Sequence, residues 1–166
     1  SRDSVIYREV YYYIYSKLQN AGVNNVIWVW NPNESSFPNF KWNDMLMYYP
    51  GDKYVDVVGL TAYNTGNYYN DVGEHWQNFD TLYSDLYTDY CNRFLKPIMI
   101  TEFSCAEMGG DKRAWVTDMF NKLNGYERIK VAVWWDHVDL DYDTGDIARD
   151  YRIENVLDIF AQNINK

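Results

Sequence analysis

Residues 96–105 read KPIMITEFSC. A proline opens a short run of apolar residues, and the run ends on one carboxylate, Glu102. An uninterrupted apolar stretch of this length, rich in isoleucine and closed by polar residues, is the pattern of a strand buried on both faces of a parallel sheet. Two further stretches repeat it. "YVDVVGLTAYN" ends near Tyr63, and "IKVAVWW" runs from Ile129 to Trp135. A shorter run, "NVIWVW" from Asn25 to Trp30, reads as a fourth strand closed by "NPN".

The segments between them carry the helical period. Tyr7, Val10, Tyr11, Ile14, Tyr15 and Leu18 mark a helix from Val5 to Leu18, stopped at Gly22. A second runs from about Trp76 to Phe94, and a third follows the "GGD" turn with Trp115, Val116, Met119, Phe120 and Leu123 on one side, ending at Gly125. The last shows Ile153, Val156, Leu157, Phe160 and Ile164. One short helix is expected around Asn43 to Tyr49 within a long loop, and the residues after Trp135 read as an acidic, glycine-containing loop.

Strictly alternating strands and helices imply a parallel sheet with right-handed crossovers. The segments after strands are long and rich in Trp, Tyr, Asn and Asp, whereas those before strands, such as "NAGVN" and "LKP", are short. That asymmetry places function at the strand C-terminal ends, as in an α/β barrel of the (β/α)8 TIM type. Such a barrel needs eight strands and about 250 residues, and four are visible here. The chain, residues 1–166 read as one unit, therefore has the pattern of a half barrel.

Composition narrows the partners. Aromatic residues make up 19% of the chain, with 17 Tyr and 7 Trp, a surface suited to stacking on sugar rings, although core packing accounts for many of them. The net charge of −9 with no basic cluster argues against nucleic acid. No apolar run is long enough to span a membrane, and no signal peptide is visible in the first residues. Cys91 and Cys105 fall at the end of a helix and the far end of the following strand, roughly 25 Å apart, so two free thiols are expected.

Side chains alternate along a strand, so Ile98, Ile100 and Glu102 are expected on one face, the isoleucines filling the barrel interior and Glu102 above them at the mouth. The alternative for Glu102 is a structural ion pair. Trp30, Tyr63, Trp135 and His137 stand at the other strand ends, each with core packing or plain surface exposure as its alternative. A phenol beside a carboxylate can hold it ionised by a hydrogen bond. His75 and His137, the only histidines, lie in separate loops and form no metal-binding cluster. There is no nucleophilic-serine motif and no Gly-rich phosphate loop. A carboxylate flanked by Tyr and Trp points to glycoside hydrolysis without metal or organic cofactor.

The blocks "NNVIWVWNPN", "YYPGDKYVDVVGLTAYN", "KPIMITEFS", "KRAWVTDMF", "IKVAVWWDH" and "IARDYRIE" resemble, in order, those of glycoside hydrolase family 26. This is the β-mannanase family that also holds β-1,3-1,4-glucanases and xylanases. The resemblance implies an eight-stranded barrel of which these strands are the fifth to eighth, with Glu102 as nucleophile and Tyr63 as its hydrogen-bonding tyrosine. It also implies that Trp135 is the aromatic at the cleavage point. Trp135, Trp30, His137 and Asp136 are thus the candidate sugar contacts. Two departures stand out. The family's general acid, a Glu in a His-Glu pair on the fourth strand, has no counterpart, and Ser1 to Ser4 match the loop beyond it. Thr61 stands where Asp is frequent, and Asp136 where some mannanases place an Arg. Glu34, Glu74 and Glu107 lie in loops on the same side, and none is on a strand end.

The expected partner is a polysaccharide, β-1,4-mannan first and mixed-linkage glucan or xylan second, acted on outside the cell. A noncatalytic carbohydrate-binding half barrel is the alternative. Unpaired sheet edges and exposed interior positions, among them Ile98, Ile100, Val131 and Val133, add an expectation of self-association.

Overall fold

The computed structural model describes residues 3–164. Of the segment Ser1 to Ser4, Ser1 and Arg2 lie outside them, and Ser4 already opens the first helix. Four strands, β1 (Val29–Trp30), β2 (Val57–Asn64), β3 (Ile98–Cys105) and β4 (Ile129–Trp134), form one parallel sheet in the order 1-2-3-4. Helices α1 (Ser4–Asn20), α2 (Phe79–Arg93), α3 (Lys112–Leu123) and α4 (Leu157–Asn163) alternate with them. Each of the first three opens on a side chain that accepts backbone N–H bonds: Asp3 from Val5 and Ile6, Asn78 from Thr81, Asp111 from Ala114. The segment after β4 is not a plain loop. It folds as an antiparallel hairpin, β5 (Val138–Leu140) with β6 (Ile147–Asp150), turned around Asp141 to Asp146.

The core lies between the sheet and the helices. Val58, Leu60, Ile98 and Ile100 are fully buried with Phe79, Tyr83 and Tyr90 of α2 and Val116 and Met119 of α3. Ile98 and Ile100 therefore face the helices and do not fill a barrel interior, contrary to the alternation argument. Gly59, Thr61, Tyr63 and Thr101 occupy the opposite face. There Thr61 and Thr101 share a hydroxyl hydrogen bond at 2.9 Å, and Asn31 donates to Thr61 at 3.0 Å. The approach is so close that a Cβ on Gly59 would lie 2.6 Å from the Asn31 side chain and 2.8 Å from that of Thr101.

Glu102 reaches this open face because β3 carries one extra residue. Leu60 pairs with Ile100 and Ala62 with Phe103, so Thr101 and Glu102 together stand opposite Thr61. That is a β-bulge. Without it, strict alternation from the helix-facing Ile100 would turn Glu102 into the core. Beyond the bulge Phe103 faces the helices again and meets Trp134, which packs in turn on Trp115 and Phe160. On β4, Val131 and Val133 are 48% and 41% exposed, so of the four expected interior positions only these two are open.

Strand β1 is two residues long, not six. Val26 and Ile27 are 41% and 73% exposed, because the Trp28 backbone bonds Asp56 and Val57 at the sheet edge and pairing begins only at Val29. Two basic side chains tie the layers together. Arg128 donates to the carbonyls of Cys91, Phe94 and Lys96, satisfying the C-terminal end of α2. Lys112, 3% exposed, donates to the carbonyls of Asp150 and Arg152 at 3.2 and 2.7 Å and pairs with Glu107 at 3.2 Å, fastening the end of the hairpin to α3.

Candidate active site

Glu102 and Tyr63 meet at the strand ends. The Tyr63 hydroxyl donates to Glu102 Oε2 at 2.7 Å. Burial first, and then the carboxylate it serves, push the Tyr63 phenol upward, so it keeps its proton and stays a donor. Its ring leans on Tyr151 with centroids 5.4 Å apart. The two residues line a cleft of about 390 Å³ with Thr65, Trp135, Asp139, Arg149 and Tyr151. A larger cavity of about 780 Å³ lies at the other end of the sheet, around Pro97 and Ile129, away from this pair.

The cleft wall opposite Tyr63 is the hairpin. Arg149 donates to both carboxylate oxygens of Glu74, to Asp139 at 3.2 Å, and sits 4.9 Å over the Tyr69 ring. Tyr69 itself donates to Asp141 at 2.7 Å, and Asp141 holds the turn by accepting the N–H groups of Asp143 and Thr144. The loop after β2 and the hairpin after β4 are thus clamped together beside Glu102. Asp139, Arg149, Tyr151 and Thr65 were not singled out in the sequence. The alternating stretch "VDLDYDTGDIARD" with its D-T-G-D turn is a hairpin signal that would have exposed the first two.

The remaining candidates divide. Trp135, 39% exposed, presents its indole to the cleft, and its backbone N–H donates to Phe103 at 2.9 Å. His137 packs edge-on against Trp135 at 5.9 Å and does not itself line the cleft. Asp136 accepts the Ile153 N–H at 2.9 Å, capping the turn before α4. Trp30 is 2% exposed and packed between Tyr49 and Phe94, and it also lines a separate cavity of about 290 Å³ with Asn31 and Asn33. Cys105 is buried against Asn64, its thiol pushed up to about 12 by burial, and it and Cys91 are both free. Among the described residues no group of three or more His, Cys, Asp or Glu is placed to hold a metal ion, and no helix is long and apolar enough to cross a membrane.

Of the loop glutamates, Glu74 is committed to Arg149, and Glu107 to Lys112 and Asn155. Glu34 lines a neighbouring cavity that shares Tyr63 and Thr65 with the Glu102 cleft, and burial raises its carboxyl above the usual range.

The chain is similar to known proteins in sequence and in fold. Endoglucanase H of Acetivibrio thermocellus is 38% identical over 115 residues, covering 69% of this chain and 12% of that protein. A mannan endo-1,4-beta-mannosidase of Bacillus subtilis is 38% identical over 64 residues, 38% of this chain and 16% of that one. Among solved structures, the catalytic domain of the GH26 endo-beta-1,4-mannanase of Bacillus sp. JAMB-750 matches 98% of this chain and 44% of its own, at 21% identity and a TM-score of 0.56. The GH26 beta-mannanase of Bacteroides ovatus matches 96% and 42%, at 20% identity and the same TM-score of 0.56. The chain spans less than half the length of each of these relatives, and its four βα units correspond to part of a (β/α)8 barrel. The model of glycosyl hydrolase family 26 matches residues 2–91, more than half of the sequence, and the chain belongs to that family.

Proposed function

We propose that this chain carries the nucleophile side of a retaining endo-β-glycanase active site, with Glu102 as the attacking carboxylate. The observation that supports it is the Tyr63–Glu102 hydrogen bond at 2.7 Å on the rim of a cleft that Trp135 also lines. In the reaction, Glu102 Oε1 attacks the anomeric carbon while Tyr63 holds Oε2, and the leaving oxygen takes a proton from a second carboxyl group. Water then opens the glycosyl ester, its proton returning to that second group. Retaining geometry needs the two groups about 5 Å apart. Glu74 and Asp139 are engaged by Arg149 and Glu107 by Lys112, whereas Glu34, its carboxyl raised by burial, lines the adjoining cavity that shares Tyr63 and Thr65 with the cleft. The proposed substrate is β-1,4-mannan, as the Bacillus subtilis relative's name describes. A mixed-linkage β-glucan is the second reading, favoured by the longer match to an endoglucanase. Polymers of this size do not enter cells, which places the activity outside.

Two measurements test the proposal in the protein that carries this chain. Glu102→Gln abolishes turnover while leaving the fold intact, since the amide keeps the shape and loses the nucleophile. Proton NMR of the first-formed reducing ends shows the β-anomer. Residual activity above a few per cent in the variant, or an α-anomer as first product, overturns it.

A further inference from the structure

Tyr151 directly follows β6 and lines the Glu102 cleft. It is 2% exposed, and its ring rests on that of Tyr63 with centroids 5.4 Å apart. Three backbone hydrogen bonds pin it in place. Its N–H donates to the His137 carbonyl at 2.9 Å, and its carbonyl accepts from Trp134 Nε1 at 2.9 Å and from Ser104 Oγ at 3.2 Å. Two residues earlier, Arg149 ties the same strand to Glu74 and Asp139. The hydroxyl alone is uncommitted: it makes no hydrogen bond among the described residues, yet it is not sealed from solvent as the unpartnered Trp28 Nε1 and Tyr90 hydroxyl are. It opens into the cleft. The neighbouring polar groups are already bonded, Tyr63 to Glu102 and Arg149 to Asp139 and Glu74, while Thr65 is partly open to solvent. Burial holds the Tyr151 phenol well above its ordinary range, so it keeps its proton and can donate as well as accept. A buried phenol of this kind usually has a partner, and here a partner reaches it only from the space that Glu102 also faces.

Resting on the proposed function above, we infer that Tyr151 is a specificity-determining residue whose hydroxyl hydrogen-bonds one hydroxyl of the sugar that Glu102 attacks. A site built to pair a substrate hydroxyl rejects a sugar that lacks or misplaces it, because the enclosed phenol is then left unpaired. The test compares the protein that carries this chain with its Tyr151→Phe variant on dinitrophenyl β-mannobioside and β-cellobioside, each also made with one of the attacked sugar's three free hydroxyls replaced by hydrogen. Tyr151→Phe keeps the ring on Tyr63, so Tm and the pH profile should not change, since no bond within the protein is lost. For the unmodified substrate kcat/KM should fall about two- to tenfold, the size of one neutral hydrogen bond. That fall should vanish for one of the three deoxy substrates and persist for the other two. A fall that is absent or equal for all of them overturns the inference, as does a clearly lowered Tm, because the hydroxyl would then act within the protein. Glu102→Gln, measured alongside, separates the two readings. If that variant is inactive, the proposed function stands whatever Tyr151→Phe shows, and a parent that cleaves polymer but neither bioside counts against the inference alone. A Glu102→Gln protein that still cleaves, or a folded parent that cleaves neither bioside nor polymer, overturns both.

Discussion

Replacing Lys112 with Met tests how the hairpin that walls the cleft is held in place. The ammonium is 3% exposed and donates to the carbonyls of Asp150 and Arg152 at 3.2 and 2.7 Å, besides its 3.2 Å pair with Glu107. Methionine fills nearly the same volume, so the packing term is small and the loss is electrostatic. Each charge-assisted hydrogen bond contributes about 1.5 kcal/mol, and two of them give about 3 kcal/mol. Glu107 is 37% exposed, so its freed carboxylate turns to water and adds little. For a chain of this length the change corresponds to a melting temperature lowered by about 6–12 °C. Urea unfolding followed by tryptophan fluorescence reads it directly, and amide exchange at Arg149 and Asp150 should quicken more than exchange in β2. In the Lys112→Met background, Glu107→Gln should have no further effect. A loss below about 1 kcal/mol at unchanged m, or strong independent losses from both substitutions, would refute the reasoning, because the two carbonyls would then be satisfied without the lysine.

Three further outcomes are expected. Tyr63→Phe removes one bond to an ionised group, about 1.5–3 kcal/mol, so kcat falls roughly tenfold or more. Because the phenol is raised by burial and by Glu102, it keeps its proton through the working range, so the alkaline side of the profile should be the same in the variant, and an alkaline limb that disappears would contradict this. Trp134→Ala empties the space between Phe103, Trp115 and Phe160 and costs about 3–5 kcal/mol in stability; Trp135→Ala, on the cleft side, should lower kcat/KM with little change in Tm, and reversed effects would exchange their faces. The Tyr69 hydrogen bond, then the turn amides, lower the Asp141 carboxyl below 3.8. Its contribution is therefore complete above that value and lost as pH falls through the lower folded one. NMR titration of the Asp143 and Thr144 amides should show the turn loosening only below about pH 4 in the parent and at higher pH in Tyr69→Phe; a turn that loosens near neutral pH would contradict it.

Much of the site was legible from order and spacing. A strand packed under helices needs a continuous apolar face, which Val58 and Leu60 supply in "YVDVVGLTAYN" and Ile98 and Ile100 in "KPIMITEFSC", and the polar residue ending each run fell at the strand end. Helix starts at Asn78 and Asp111 follow from side-chain oxygens that can reach only their own first turn. What failed was inference across strands. Alternation assigned Ile98, Ile100 and Glu102 one face, whereas the isoleucines pack under the helices and Glu102 crosses over at the bulge.

The chain's own covalent order thus determined which residues are near strand ends and which segments coil, since those properties arise from neighbours within a few positions. Only the tertiary structure decided which way the decisive side chains turn. Whether β3 accommodates an extra residue depends on how β2 and β4 register against it, and whether Trp30 is a platform or core depends on Tyr49 and Phe94 arriving from distant segments. The Arg149 clamp likewise joins Glu74 and Asp139, residues 75 and 10 positions away. Such hydrogen bonds and contacts form only when separate elements have already docked, so they leave no periodic trace in the sequence.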